Sequence, residues 1–131
     1  KEDKLRGRKS SSTKDLIEYL NYDMSNLQVE VFKIIFLDTQ NVFINEKTIV
    51  VGTIDKSYIY PRELLKEIFE HNAKSVIFAH NHPSGNLNPS KADINFTNSM
   101  RSLLKELEIN LLDHVIIGTS GHYSFLEENL L

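Results

Sequence analysis

Two histidines one residue apart close an apolar run at Ala79-His80-Asn81-His82, and a Pro83-Ser84-Gly85 loop leads on to Ser90-Lys91-Ala92-Asp93. In an extended segment residues i and i+2 point to the same side. His80 and His82 therefore aim their imidazoles together, about 6–7 Å apart at the backbone. That spacing lets both reach one metal ion at ~2.0–2.1 Å per bond. Ser90-x-x-Asp93 has the form of a capping box, and an aspartate suits a helix N-terminus. The same two side chains lean toward the loop mouth where the histidines point, so capping and metal binding are compatible. Two imidazoles and one carboxylate leave a fourth position for water, as in catalytic rather than structural zinc sites, and zinc lowers the pKa of that water toward ~7.

A metal hydrolase also needs a general base near the water. Strand parity separates the candidates. Glu30 shares a side with Phe32, Ile34 and Phe36, whereas Lys33 shares the other side with Val31, Ile35 and Leu37. The Lys33 side is expected to be partly exposed. Glu30 heads the more apolar side, where an unpaired carboxylate is costly and needs a partner; alternatively it sits solvated at the start of the strand. Glu46, in a polar patch, is the rival and is expected to face solvent. His114 falls in step with Leu112 and Ile116, and reads as a satisfied core histidine in preference to a partner behind a metal ligand. Asn81 points away from the histidines and is expected to fix the loop by hydrogen bonds. His71 and His122 read as helix-end and turn residues. Ser84 lacks the Gly-x-Ser-x-Gly setting of a serine hydrolase.

These side chains need a frame. Thr13 to about Tyr22 reads as a short helix capped by Ser12 or Thr13, with Leu16, Ile17 and Leu20 on one face. Val29 to Leu37 is a strand rich in β-branched and aromatic residues, and Val42 to Val51 returns as its antiparallel partner. Pro61 opens a helix to about Asn72 with Leu64, Leu65, Ile68 and Phe69 as its apolar face. Ser75 to Ala79 is a short strand buried on both faces, and His80 lies at its carboxyl end, where ligands gather in open α/β sheets. A long helix from Ser90 to about Leu107, a strand from Ile109 to Ile117 and an edge strand from Tyr123 to Leu126 complete an α/β class with a mixed sheet covered by helices.

With 131 residues, the chain suits one domain whose core needs no disulfide or metal to fold. The absence of cysteine removes thiolate nucleophiles and every cysteine-based zinc site. No apolar run approaches the roughly 20 residues of a membrane span, so no membrane partner is expected, and the expected compartment is cytoplasmic. The net charge of -3 argues against a general nucleic-acid binder. The exception is the basic, serine-rich lead, residues 1–12, which reads as a flexible linker. A nucleic acid would be met only through that arm or through a region preceding it. Oligomeric state is left open.

Glu30, then His80-x-His82, seven residues and Ser90-x-x-Asp93, resembles the JAMM signature of JAB/MPN-type metalloproteases. The fuller His80-Asn81-His82-Pro83-Ser84-Gly85 to Asp93 segment resembles the RadC family more closely. Phe36 to Asn41, Val51 to Thr53, Tyr60 to Leu65, Leu111 to Gly118 and Tyr123 to Glu128 agree with it. The resemblance spans residues 13–131, taken as one RadC-like domain. RadC proteins usually carry an N-terminal helix-hairpin-helix region, so this chain resembles the C-terminal domain alone. The implied fold is a three-layer α/β/α sandwich with a mixed sheet, the JAB/MPN, cytidine-deaminase-like fold. The implied cofactor is one zinc ion per chain, held by His80, His82 and Asp93. Glu30 would bind the zinc water as general acid/base, and Ser90 would stabilise the oxyanion. The implied reaction is hydrolysis of a peptide or isopeptide bond in an unknown peptide or protein substrate. The family is associated with DNA repair, so the contrasting expectation is a non-catalytic repair or recombination binding module with a structural or vestigial metal site.

Overall fold

The computed structural model describes residues 13–52 and 59–131. The expected basic lead, residues 1–12, and Thr53 lie outside the described residues. The elements run α1 (Thr13–Met24), β1 (Val31–Leu37), β2 (Phe43–Val51), α2 (Pro61–Glu70), β3 (Ser75–Asn81), α3 (Lys91–Glu106), β4 (Asn110–Gly118) and β5 (Gly121–Ser124). The five strands form one sheet in the order β2-β1-β3-β4-β5. Only β3 and β4 pair in parallel; the β1/β2, β1/β3 and β4/β5 pairs are antiparallel. The sheet is therefore mixed, as expected from sequence.

Helices cover both faces, which gives the three-layer sandwich. On one face α1 packs Leu16, Ile17, Leu20 and Met24 against Ile35, Ile77, Val115 and Ile117. On the other, Leu64 and Ile68 of α2 and Met100 and Leu104 of α3 pack against Phe32, Phe36, Val76 and Phe78. Both central strands, β1 and β3, are buried along their whole length. Burying each of the large side chains there contributes roughly 1.5–3 kcal/mol.

Several details differ from the sequence expectations. The Lys33 side of β1 is not partly exposed: α1 covers it, and Lys33 is buried with its ammonium held by Asp23 and Glu46. Glu46 does not face solvent, because Lys33 (2.9 Å) and the Tyr19 hydroxyl bind its carboxylate. Phe69 is exposed rather than part of the apolar face of α2. β1 starts two residues later than expected, and β3 runs two residues further, so His80 and Asn81 lie within the strand. The last strand is Gly121–Ser124, which puts His122 in a strand instead of a turn.

A bulge in β4 matters most for the site. Val76 pairs with Leu111 but Ile77 pairs with Asp113, so Leu112 is extra in the ladder. Leu111 and Leu112 consequently pack on opposite faces. Strict alternation would place His114 with Leu112; the bulge instead returns it to the face of Leu111, opposite Phe78.

Candidate metal centre

The carboxyl end of β3 delivers the two histidines. His80 pairs with Phe32 of β1 on one side and Ile116 of β4 on the other, and it is fully buried. His82 lies just past the strand, but its N–H still donates to the Ile117 carbonyl at 2.9 Å. Its backbone is thus fixed by the sheet. The loop then turns back: the Gly85 N–H donates to the His82 carbonyl at 2.9 Å, and Gly85 adopts φ +89°, a conformation that favours glycine. The returning carbonyl of Asn86 lies 2.6 Å from His82 Nδ1. A carbonyl only accepts, so His82 Nδ1 carries the hydrogen and Nε2 is left as a lone pair.

Asp93 enters from the first turn of α3. The capping box is complete: the Asp93 N–H donates to Ser90 Oγ and the Ser90 N–H donates to Asp93 Oδ2, both at 2.9 Å. That second bond holds Oδ2 at 3.7 Å from both His80 Nε2 and His82 Nε2, while the two Nε2 atoms are 2.9 Å apart. A tetrahedral ion with bonds of ~2.0–2.1 Å sets its ligand atoms about 3.3 Å apart. The three observed separations bracket that value. The donor set also fits, since two imidazoles and a carboxylate suit a borderline-soft divalent cation. His80, His82 and Asp93 are a group that could hold a metal ion.

Glu30 and Ser90 line a cleft that His82 borders. It has a volume of about 750 Å³ and is bordered also by Val29, Gly52 and Pro83. The β1/β3 ladder ends at the Phe32–His80 pair, two residues short of Glu30 and two short of His82. Asn81 holds the Glu30 segment from the neighbouring strand. Its Oδ1 accepts the Val31 N–H at 2.7 Å, and its Nδ2 donates to the Val29 carbonyl at 2.9 Å. The expectation that Asn81 fixes its own loop therefore needs correction: it clasps the two residues that flank Glu30. Glu46, the rival base, lies in the Lys33 cluster under α1 and takes no part in this cleft.

His114 is buried and satisfied, but it also stands behind the site. Its Nε2 lies 2.7 Å from His80 Nδ1 and its Nδ1 lies 2.6 Å from Thr97 Oγ1. Treating it as a core histidine in preference to a partner of the metal site is thus only half right. Thr97 goes unnoticed in the sequence. Its signal is the four-residue spacing from Asp93, which places both on one face of α3.

Comparison with known proteins decides the family. Residues 10–130 match the RadC-like JAB domain model. The chain belongs to the RadC-like JAB domain family. It is 43% identical over 121 residues to a UPF0758 protein of Pseudoalteromonas translucida, covering 92% of this chain and 54% of that protein. It is 44% identical over 121 residues to one of Fusobacterium nucleatum, covering 92% and 52%. It is 42% identical over 127 residues to one of Vibrio cholerae, covering 97% and 80%. The chain thus spans about half the length of the first two relatives. The five-stranded mixed sheet between helices agrees with the JAB/MPN fold. No described helix is long and apolar enough to cross a membrane.

Proposed function

We propose that this domain is a zinc-dependent hydrolase of the JAMM type that cleaves a peptide or isopeptide bond in a peptide or protein substrate. One observation carries the reading: His80 Nε2, His82 Nε2 and Asp93 Oδ2 converge on one another, and His82 shares a cleft with Glu30 and Ser90. Zinc held by these three residues would supply Lewis acidity and a water acidic enough to act near neutral pH. Glu30 takes a proton from the attacking water and returns it to the departing amine, so its role alternates between base and acid. Asn81 keeps the Glu30 backbone in place for both steps. The Ser90 oxygen already accepts the Asp93 N–H, which leaves its own hydrogen to donate to the developing oxyanion.

The reading is tested by metal content and a cleavage screen on the same protein. One zinc per chain is expected, along with hydrolysis of some members of a mixed peptide and isopeptide library. Glu30→Gln is expected to keep the zinc and lose about 10²–10⁴-fold in rate. A chain that neither contains zinc nor takes it up on addition would rule the proposal out. Activity that survives Glu30→Gln but not Glu46→Gln would show the wrong base has been named.

A further inference from the structure

The buried hydrogen-bond chain behind His80 has a direction. The Thr97 hydroxyl donates to the main-chain oxygen of Asp93 at 2.7 Å, the backward bond that threonine often makes within a helix. Its one hydrogen is thereby committed, so toward His114 Nδ1 the Thr97 oxygen can only accept. The His114 hydrogen must then sit on Nδ1. A neutral imidazole carries one N–H, so His114 Nε2 is a lone pair, and the hydrogen in the 2.7 Å contact with His80 Nδ1 belongs to His80. His80 Nε2 is left unprotonated and faces His82 Nε2 and Asp93 Oδ2.

We propose that His114 and Thr97 act as a tautomer lock, a positioning pair that keeps the His80 hydrogen on Nδ1 and its Nε2 lone pair available to a cation. The packing around His114 serves that role. Phe125 stacks on its ring at 4.7 Å and 12°, and Phe32 and Phe78 meet it edge-on at 6.1 and 5.9 Å. Three phenylalanines thus fix the plane of the ring and leave its two nitrogens as the polar contacts. The chain also ends where the site begins, on the backbone of Asp93. Two of the three candidate ligands therefore belong to one hydrogen-bonded circuit, and a change in α3 reaches His80 without touching it. The purpose of the lock rests on the metal reading above; the proton positions do not.

The informative variant is Thr97→Val, which keeps the shape and removes the acceptor. His114 Nδ1–H would then be buried without a partner. Moving that hydrogen to His114 Nε2 lets it donate to His80 Nδ1 and forces the His80 hydrogen onto Nε2, where it blocks a metal. Long-range ¹H–¹⁵N spectra of the metal-free 131-residue chain, recorded at about pH 8.5 where ordinary imidazoles are neutral, report the tautomers directly. Wild type is expected to show Nδ1–H at both His80 and His114. Thr97→Val is expected to move the His80 hydrogen to Nε2 and to weaken zinc binding about 10–100-fold in a chelator competition. Thr97→Ser is expected to restore both. An Nε2–H tautomer of His80 in wild type would overturn the proposal. So would an unchanged tautomer in Thr97→Val, even with weakened zinc binding, because the effect would then be one of packing. Should wild type bind no zinc, the metal reading fails, while the lock is still decided by the nitrogen shifts.

Discussion

Under α1, the ammonium of Lys33 meets Asp23, Glu46 and, through Glu46, the Tyr19 hydroxyl. Under α3, on the opposite face of the same sheet, His80, His82 and Asp93 meet one another. Both clusters are largely buried: the side chains of Lys33, Asp23 and Glu46 are 6%, 12% and 13% exposed, and those of His80, His82 and Asp93 are 0%, 16% and 4%. They differ in what they contain. The Lys33 cluster carries its own cation, one ammonium shared by two carboxylates. In the histidine cluster, two imidazoles and a carboxylate face one another at 2.9–3.7 Å. Burial alone does not mark a functional site. What separates the two is what the buried carboxylates meet: an ammonium in one cluster, imidazoles that could hold a metal ion in the other.

The largest effect should come from removing the cation of the Lys33 cluster. Lys33→Met leaves two carboxylates in a poorly solvated pocket, and removing one partner of a buried pair costs about 3–5 kcal/mol. Urea unfolding measures this loss, and zinc affinity should not change because the altered cluster lies across the sheet. Replacing Asp23 and Glu46 by leucine in the Lys33→Met background should recover most of the stability, since an apolar substitute for a buried ion pair is often neutral. A loss below about 1 kcal/mol in Lys33→Met would mean that this cluster is solvated and that the contrast between the faces is false.

The histidine cluster should respond in the opposite sense, gaining stability when a cation is provided. A ligand at 100 times its dissociation constant stabilises the native state by about 2.7 kcal/mol. Zinc chloride at that level should raise the stability of wild type and Lys33→Met by this amount and leave His82→Ala unchanged. Equal stabilisation of His82→Ala would place the ion elsewhere on the chain.

The difference between the clusters also explains how much of each is legible in the sequence. His80, His82, Ser90 and Asp93 lie within fourteen residues. Strand parity and the capping box therefore suffice to bring them together. Glu30 lies fifty residues upstream, but the neighbouring β1 residue Phe32 pairs with His80, and Glu30 borders the same cleft as His82. The Lys33 cluster is misread from sequence because parity says which residues share a side, not which side a helix covers. α1 supplies both that cover and Asp23. The role of His114 is hidden for a more local reason. The Leu112 bulge shifts the parity of β4, and the parallel β3/β4 register that brings His114 behind His80 depends on it. One extra residue in a ladder leaves no mark in the pattern of apolar residues.

That bulge supplies a smaller test of the same contrast, because it has a buried carboxylate held by neutral donors. Asp113 accepts the N–H groups of His114 at 2.7 Å and Leu126 at 2.9 Å, together with the Ser124 hydroxyl at 2.5 Å. Burial pushes its pKa above the ordinary carboxylate value, the three hydrogen bonds pull it back, and the nearby charge of Glu127 adds a smaller upward push. Neutral donors thus leave this charge incompletely balanced, whereas Lys33 brings a full positive charge to its two carboxylates. The sign follows from linkage. With the folded pKa raised, the native state holds its proton to higher pH than the unfolded chain, so stability is highest below the ordinary value of 3.8 and falls as pH rises through the folded value. The Asp113→Asn variant has no group to titrate there. Its amide keeps an acceptor for the two N–H groups and a donor to pair with Ser124, so it is the proper reference. Urea unfolding from acid to neutral pH should show wild type losing stability relative to Asp113→Asn as pH rises. The reverse slope would mean that the hydrogen bonds outweigh desolvation, and that a buried carboxylate in this fold can be satisfied without any cation.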